Sequence, residues 1–293
     1  MVRQLSPCGI IEQSITLKFR KTIWQPFVTA MKKYRMLSEG DRVAVCISGG
    51  KDSMLLAKLM QMLRRYSDFP FELEFIVMDP GYLPQNRQKI IDNAEKLEIP
   101  IKIFETDIFD SVKDVKNSPC YLCARMRRGN LYSFAKSLGC NKIALGHHLD
   151  DVIETLMMSI LYGAQIQGMV PKLHSTNFEG MQLIRPMYMV HESAIISWRD
   201  YNNLSFLQCA CRFTEKANEE IAESKRLETK RLIAELKKTN PQVMENIFNS
   251  MNNVAVDTMR EYKLNGVRHS FLEKFPDDRP ADDTNTDPKD ILS

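Results

Sequence analysis

The chain has 293 residues, 44% hydrophobic and 26% charged, enough for one large core or a core with a smaller helical lobe. There is no apolar run of about 18 residues, and residues 1–15 have no apolar signal core ahead of a small-residue cleavage site, so a cytoplasmic protein without a membrane segment is expected. The net charge of +3 is unevenly spread, with Arg3, Lys18, Arg20, Lys21, Lys32, Lys33 and Arg35 in front and an acidic stretch over residues 277–290. A basic front suits a polyanionic partner but equally suits ordinary solvated helix faces, and the acidic end is expected to be disordered. Seven cysteines in a reducing compartment point to metal binding, catalysis or burial rather than a disulfide framework.

Residues 15–36 have helical spacing, with Leu17, Ile23, Phe27, Ala30 and Met31 on one side, and Gly40 ends the pattern. Residues 42–47 form a nearly continuous β-branched run, as in a strand buried on both faces. Residues 54–66 then read as a helix, 71–78 as a strand, 85–97 as a helix and 101–104 as a strand. A helix over 122–138, a strand over 142–145 ending at Gly146 and a helix over 152–161 follow. This alternation predicts an α/β fold with a doubly wound, mainly parallel sheet, whose ligands sit at the carboxyl ends of the strands. Residues 163–186, rich in Gly and Pro, read as loop, and 214–236 and 241–262 as charged helices split by Asn240-Pro241. The expected organisation is a basic helical segment (1–36), a nucleotide-binding domain (37–212), a helical segment (213–270) and an acidic tail (271–293).

Ser48-Gly49-Gly50-Lys51-Asp52-Ser53 lies between a buried strand and a helix. Glycines let backbone N–H groups approach phosphate oxygens, and the following helix presents free N–H groups and a positive dipole end. Lys51 and the Ser48 and Ser53 hydroxyls add donors. The Walker spacing and the Gly-x-Gly-x-x-Gly of dinucleotide binders are both missing. The loop resembles that of the PP-loop ATP pyrophosphatases, which cleave ATP to AMP and pyrophosphate. That resemblance puts Met78 and Asp79 beside the adenosine.

Cys120-Tyr-Leu-Cys123 opens a helix, where thiol pKa values fall and two thiolates can share a metal centre. Cys209 and Cys211 are the further candidates, and a four-cysteine zinc site and a three-cysteine iron–sulfur cluster both remain open on spacing. Cys46, inside an apolar strand, reads as core. Asp150 and Asp151, at a strand end, suit holding magnesium or orienting an attacking group, and also suit helix capping. Gly146 and His147 border the same crevice, His147 and His148 either contacting phosphate or bonding the loop. Arg125, Arg127 and Arg128 lie beside the cysteines.

Taken together, Ser48 to Ser53, Cys120-Tyr-Leu-Cys-Ala-Arg-Met-Arg-Arg-Gly129, Lys142-Ile-Ala-Leu-Gly-His-His-Leu-Asp-Asp151, Gly168-Met-Val-Pro-Lys-Leu173 and Ile184-Arg-Pro186 resemble the TtcA-like tRNA 2-thiocytidine synthetases. The resemblance implies adenylation of O2 of an anticodon-loop cytidine by ATP with Mg2+, then displacement of AMP by sulfur. It implies a 4Fe-4S cluster on Cys120, Cys123 and Cys209, with catalytic roles for Lys51, Asp150, Asp151 and Cys209. Members usually carry Cys-x-x-Cys at the third ligand, whereas this chain has Cys209-Ala-Cys211, which leaves Cys211 as the alternative. The partners so implied are tRNA and a sulfur donor, either sulfide or a cysteine desulfurase persulfide, with a homodimer an option. The competing readings are a PP-loop ligase or amidotransferase, for which the cysteines are superfluous, and a zinc-dependent RNA-binding protein, which has no use for the phosphate loop.

Overall fold

The structure is a computed structural model describing residues 5–108, 119–207 and 222–275. Strand β1 (Arg42–Ile47) is buried from Val43 onward. Ala44 and Cys46 pack with Ile76, Tyr132, Ala135, Ile143 and Leu183 on one face of the sheet. Side-chain alternation turns Val43, Val45 and Ile47, all buried, to the other face. A strand covered on both faces is the reason its sequence is apolar throughout rather than alternating.

β2 (Glu72–Asp79), β3 (Ile101–Glu105), β4 (Lys142–Ala144), β5 (Lys172–His174) and β6 (Gln182–Ile184) complete one sheet in the order β3-β2-β1-β4-β6-β5. All neighbours pair parallel except β5 with β6. Helices α3 (Lys51–Tyr66), α4 (Pro84–Lys96), α5 (Pro119–Ser137) and α6 (Leu149–Gly163) alternate with the strands. The doubly wound α/β fold expected from the sequence is therefore present. The chain steps outward from β1 to β3 and then returns to β4 on β1's other side. That reversal opens a crevice at the carboxyl ends of β1 and β4.

In front of the sheet stand α1 (Pro7–Thr16), a π-helical turn (Arg20–Trp24) and α2 (Gln25–Lys33). This corrects the single helix expected over 15–36. Pro26 has no N–H to give the carbonyl four residues earlier, and the wide turn precedes it, with Trp24 N–H donating to Phe19 O. α1 docks on α3 through Lys58, fully buried, whose Nζ meets Glu12 Oε1 at 3.0 Å and Cys8 Sγ at 3.3 Å.

Two further expectations are corrected. Residues 163–186 contain β5 and β6, each of three residues, too short for periodicity to register amid the glycines and prolines. Residues 241–262 are not one helix: α9 (Val243–Ser250) is followed by a 3-10 turn and by β7 (Glu261–Leu264). β7 pairs with β8 (Val267–Ser270) around Asn265-Gly266, both at positive φ, the geometry of a tight hairpin turn. Helices α7 (Glu192–Tyr201) and α8 (Ala222–Thr239) complete the described elements, and α8 packs on α6. By contact the chain divides into Met1–Met244, which holds the sheet, and Glu245–Ser293, which holds the hairpin. Among the described residues no helix is long and apolar enough to cross a membrane.

At the amino edge of the sheet, Lys142 Nζ pairs with Asp41 Oδ2 at 2.6 Å, both side chains buried, and donates to Met36 O at 2.9 Å. Asn141 bridges the same two strands, accepting from Arg42 N–H and donating to Asp41 Oδ1. Together these fix β4 against β1. Asp41→Ala strands a buried ammonium and is expected to cost about 3–5 kcal/mol in urea denaturation, with Asp41→Ala/Lys142→Met recovering part of the loss. A single variant as stable as the parent would remove this pin from the account.

Candidate active site

The loop after β1 is held by its own serines. Ser53 Oγ accepts from Ser48 N–H at 3.1 Å and donates to Gly50 O at 3.0 Å, closing the turn. Gly49 has φ +86°, and a Cβ there would sit 2.6 Å from Ile90 Cγ1, so only glycine fits. Gly50 caps α3 with no side-chain hydrogen bond, which leaves the first-turn N–H groups of α3 pointing into the crevice.

The second loop follows β4, β1's parallel neighbour. A Cβ on Gly146 would lie 3.1 Å from Ser53 N and 3.2 Å from Asp52 C, so the two loops touch backbone to backbone. His148 caps α6: its Nδ1 accepts from Asp151 N–H while Asp151 Oδ2 accepts from His148 N–H. Asp150 Oδ2 accepts from Glu192 N–H at 2.8 Å and so ties α6 to the start of α7. Both aspartates thus do the capping and bracing work that competes with a metal-holding role, each through its Oδ2.

Lys51 Nζ lies 2.9 Å from Glu192 Oε1 and 3.2 Å from Asp52 Oδ2. Burial would lower the Lys51 pKa, but these carboxylates reverse it and raise it, so the ammonium stays charged. Burial likewise opposes Glu192 ionisation, yet the Lys51 hydrogen bond and the charges of Lys51 and Lys230 hold it down at about 2. α8 supplies Lys230, 3.1 Å from Glu192 Oε2 and 3.5 Å from Glu154 Oε1, and Arg226, 3.3 Å from Glu154 Oε2. Burial keeps the Glu154 pKa raised despite these cations. His147 is pushed down to about 4 by burial and by the Arg185 charge, and is a neutral imidazole at pH 7.

The residues present fit a nucleotide triphosphate. Free N–H groups at the α3 terminus, the glycine cradle at Gly49, Gly50 and Gly146, and the charged Lys51 suit phosphate. Asp52 Oδ1 and His147 Nδ1 are buried without a hydrogen-bond partner and face no protein group that satisfies them. Asp79 ends β2, beside β1 on the side away from β4; its Oδ1 accepts from Gly81 and Tyr82 N–H. Met78 precedes it and is buried.

α5 leads into β4, so its first turn, with the backbone of Cys120 and Cys123, stands at the carboxyl edge of the sheet. Cys209 and Cys211 lie outside the described residues. Leu207, the last described residue before them, donates its N–H to Gly49 O at 3.1 Å, which ties Leu207 to the phosphate loop. Cys46 is core, as expected, its thiol pKa raised by burial, and Cys8 and Cys140 are buried too. Glu192, Lys230, Arg226 and Glu154 were not foreseen: 141 residues separate Lys51 from Glu192, and no local pattern links them.

The loop contact makes a direct prediction. Gly146→Ala must force the two backbones apart and is expected to weaken binding of a non-hydrolysable ATP analogue at least about tenfold by calorimetry, with unfolding nearly unchanged. Unaltered affinity would mean the contact does not shape the site.

Residues 20–213 match the family model described as PP-loop domain. A tRNA-cytidine(32) 2-sulfurtransferase of Coxiella burnetii is 36% identical over 241 residues, covering 80% of this chain and 90% of the relative. A tRNA-cytidine(32) 2-sulfurtransferase 1 of Francisella philomiragia is 37% identical over 252 residues, covering 84% and 95%. In structure the chain is similar to the U34-tRNA thiolase NcsA of Methanococcus maripaludis, solved with its [4Fe-4S] cluster, at TM-score 0.63 and 22% identity over 82% of this chain and 80% of that one. With two strand-end loops in backbone contact and these relatives matched over four-fifths of its length, the chain belongs to the PP-loop family and, within it, to the group of the tRNA-cytidine(32) 2-sulfurtransferases.

Proposed function

We propose that this protein is an ATP-dependent tRNA sulfurtransferase that replaces O2 of a cytidine, at position 32 as in the relatives' names, with sulfur. The observation that carries the reading is the backbone contact between the Ser48–Ser53 loop and Gly146. It makes one crevice of the phosphate-binding loop and the carboxylate-bearing loop.

The phosphates of ATP lie on the α3 N-terminus and Lys51, with Ser48, Gly49, Gly50, Asp52 and Ser53 around them, Gly146 and His147 opposite, and the adenosine by Met78 and Asp79. Lys51 leaves Glu192 for the phosphates, neutralising charge as it develops on the leaving pyrophosphate. Glu192 keeps Lys230 when that happens, so its carboxylate is not left unpaired. Asp150 and Asp151 would hold Mg2+ at the same edge. O2 of the cytidine attacks the α-phosphorus, the bond to the β-phosphate oxygen breaks, and pyrophosphate leaves. A sulfur nucleophile then adds at C2, and the C2–O bond breaks to release AMP. With Asp151 Oδ2 bonded to His148 N–H and Asp150 Oδ2 to Glu192 N–H, the Oδ1 atoms are the ones that would meet the metal.

Cys120, Cys123 and Cys209, with Cys211 as the alternative third ligand, have the thiol chemistry of a 4Fe-4S site, and such a cluster would present the incoming sulfur on its open iron. The helix start that bears Cys120 and Cys123 and the Leu207 anchor both support that placement. The sulfur comes from sulfide or from a cysteine desulfurase persulfide. A cytoplasmic location follows from the substrate, and a homodimer is compatible with it.

The test is mass spectrometry of tRNA nucleosides from cells lacking the protein. 2-Thiocytidine should disappear and return with the wild-type gene, but not with Lys51→Ala, which is expected to slow pyrophosphate release about 100-fold or more. Persistence of 2-thiocytidine in the deletion strain would refute the reading.

A further inference from the structure

At the carboxyl edge two residues on adjacent strand ends each keep a buried polar atom without a hydrogen-bond partner: His147 Nδ1, past β4, and Arg185 Nε, past β6. Leu145 N–H donates to Ile184 O at 3.0 Å, so the two segments leave the sheet side by side. Arg185 spends Nη1 on the Val170 carbonyl and its backbone N–H on Pro171 O, which fixes the guanidinium in place. The charged or titratable groups that act on it are Tyr188, Tyr132 and a second guanidinium, Arg128 of α5. No carboxylate is among them.

Among the described residues, the other cations placed at the crevice are matched. Lys51 has Asp52 and Glu192, Lys230 has Glu154 and Glu192, and Arg226 has Glu154. A half-buried guanidinium repelled by a second guanidinium, with its Nε unused, is costly unless a ligand supplies the counter-charge. Arginine's planar donor fork matches a phosphate's oxygens, and a guanidinium held by its neighbours loses little entropy in binding one.

We propose that Arg185, with Arg128 beside it, receives a backbone phosphate of the RNA substrate next to the target nucleotide. The proposal rests on the RNA reading above and adds the surface that holds the strand. Strand order separates this phosphate from those of ATP. The nucleotide lies on the β1 loop, with Asp79 at the end of β2 on one side. Arg185 ends β6 on the other side, two strand spacings or roughly 10 Å from β1. Arg128 lies on the same helix as Cys120 and Cys123, eight and five residues further along α5. His147, neutral and with its Nδ1 unpartnered, can hydrogen-bond the target nucleotide without adding a further positive charge beside Arg185.

The experiment uses the full-length protein and measures affinity for tRNA and, separately, for a non-hydrolysable ATP analogue at several salt concentrations. Wild-type protein should bind tRNA; if it does not, the RNA reading falls and this inference with it. Arg185→Gln should weaken tRNA binding about tenfold and reduce the slope of log affinity against log salt by about one, with ATP affinity unchanged. Arg185→Lys should restore much of the loss. Arg128→Gln, at an exposed position where folding is not at risk, should shift affinity and slope in the same direction. Unchanged tRNA affinity and slope in both Gln variants would overturn the proposal. An equal loss for the ATP analogue would overturn it too, by assigning the phosphate to the nucleotide.

Discussion

Everything at the candidate site depends on two backbones meeting without side chains between them. Gly146 lies against Asp52 and Ser53 because β4 pairs directly with β1 and because neither loop interposes a Cβ. The pairing is itself pinned at the other edge of the sheet by the buried Lys142–Asp41 pair and by Asn141. Adjacent parallel strands whose helices leave on opposite faces open a crevice at their carboxyl ends. Here that crevice collects the free N–H groups of α3, the capped start of α6 and, through Asp150, the start of α7.

The charges in the crevice are arranged so that Lys51 can change partners. Glu192 pairs with both Lys51 and Lys230, so in the proposed mechanism Lys230 would remain with Glu192 when Lys51 turns to phosphate. Each of the three cations Lys51, Lys230 and Arg226 thus has a carboxylate partner in this part of the site. Arg185, whose Nε has no hydrogen-bond partner, departs from that balance and under our proposal would take the second anion. Nucleotide and RNA would thus enter from opposite sides of the same loop contact, with Leu207 bonded to the phosphate loop itself.

Much of the fold was legible because its parts are local. β1 has five consecutive buried residues, Val43 to Ile47, and the glycine loop follows without a gap, so strand, loop and helix announce one another. β5 and β6 were not legible, since three residues give no period and β6 earns its place only by pairing with β4. The helix expected over 241–262 failed differently: Asn265-Gly266, a hairpin signal, lies just beyond the stretch with charged helical spacing. In the site, Lys51 and the Gly146–Asp151 segment could be picked out from residue type and position. Glu192, Lys230 and Arg226 could not, because their roles exist only once α7 and α8 have packed against α6 and α3.

The central claim is that this crevice transfers the adenylyl group of ATP to a pyrimidine oxygen of tRNA. Incubation with ATP labelled at the α-phosphate and with unmodified tRNA, the sulfur source withheld, tests it most directly. The account predicts that the label becomes covalently attached to the RNA and that pyrophosphate is released in equal amount. Labelled ADP with inorganic phosphate, and RNA left unlabelled, would contradict it.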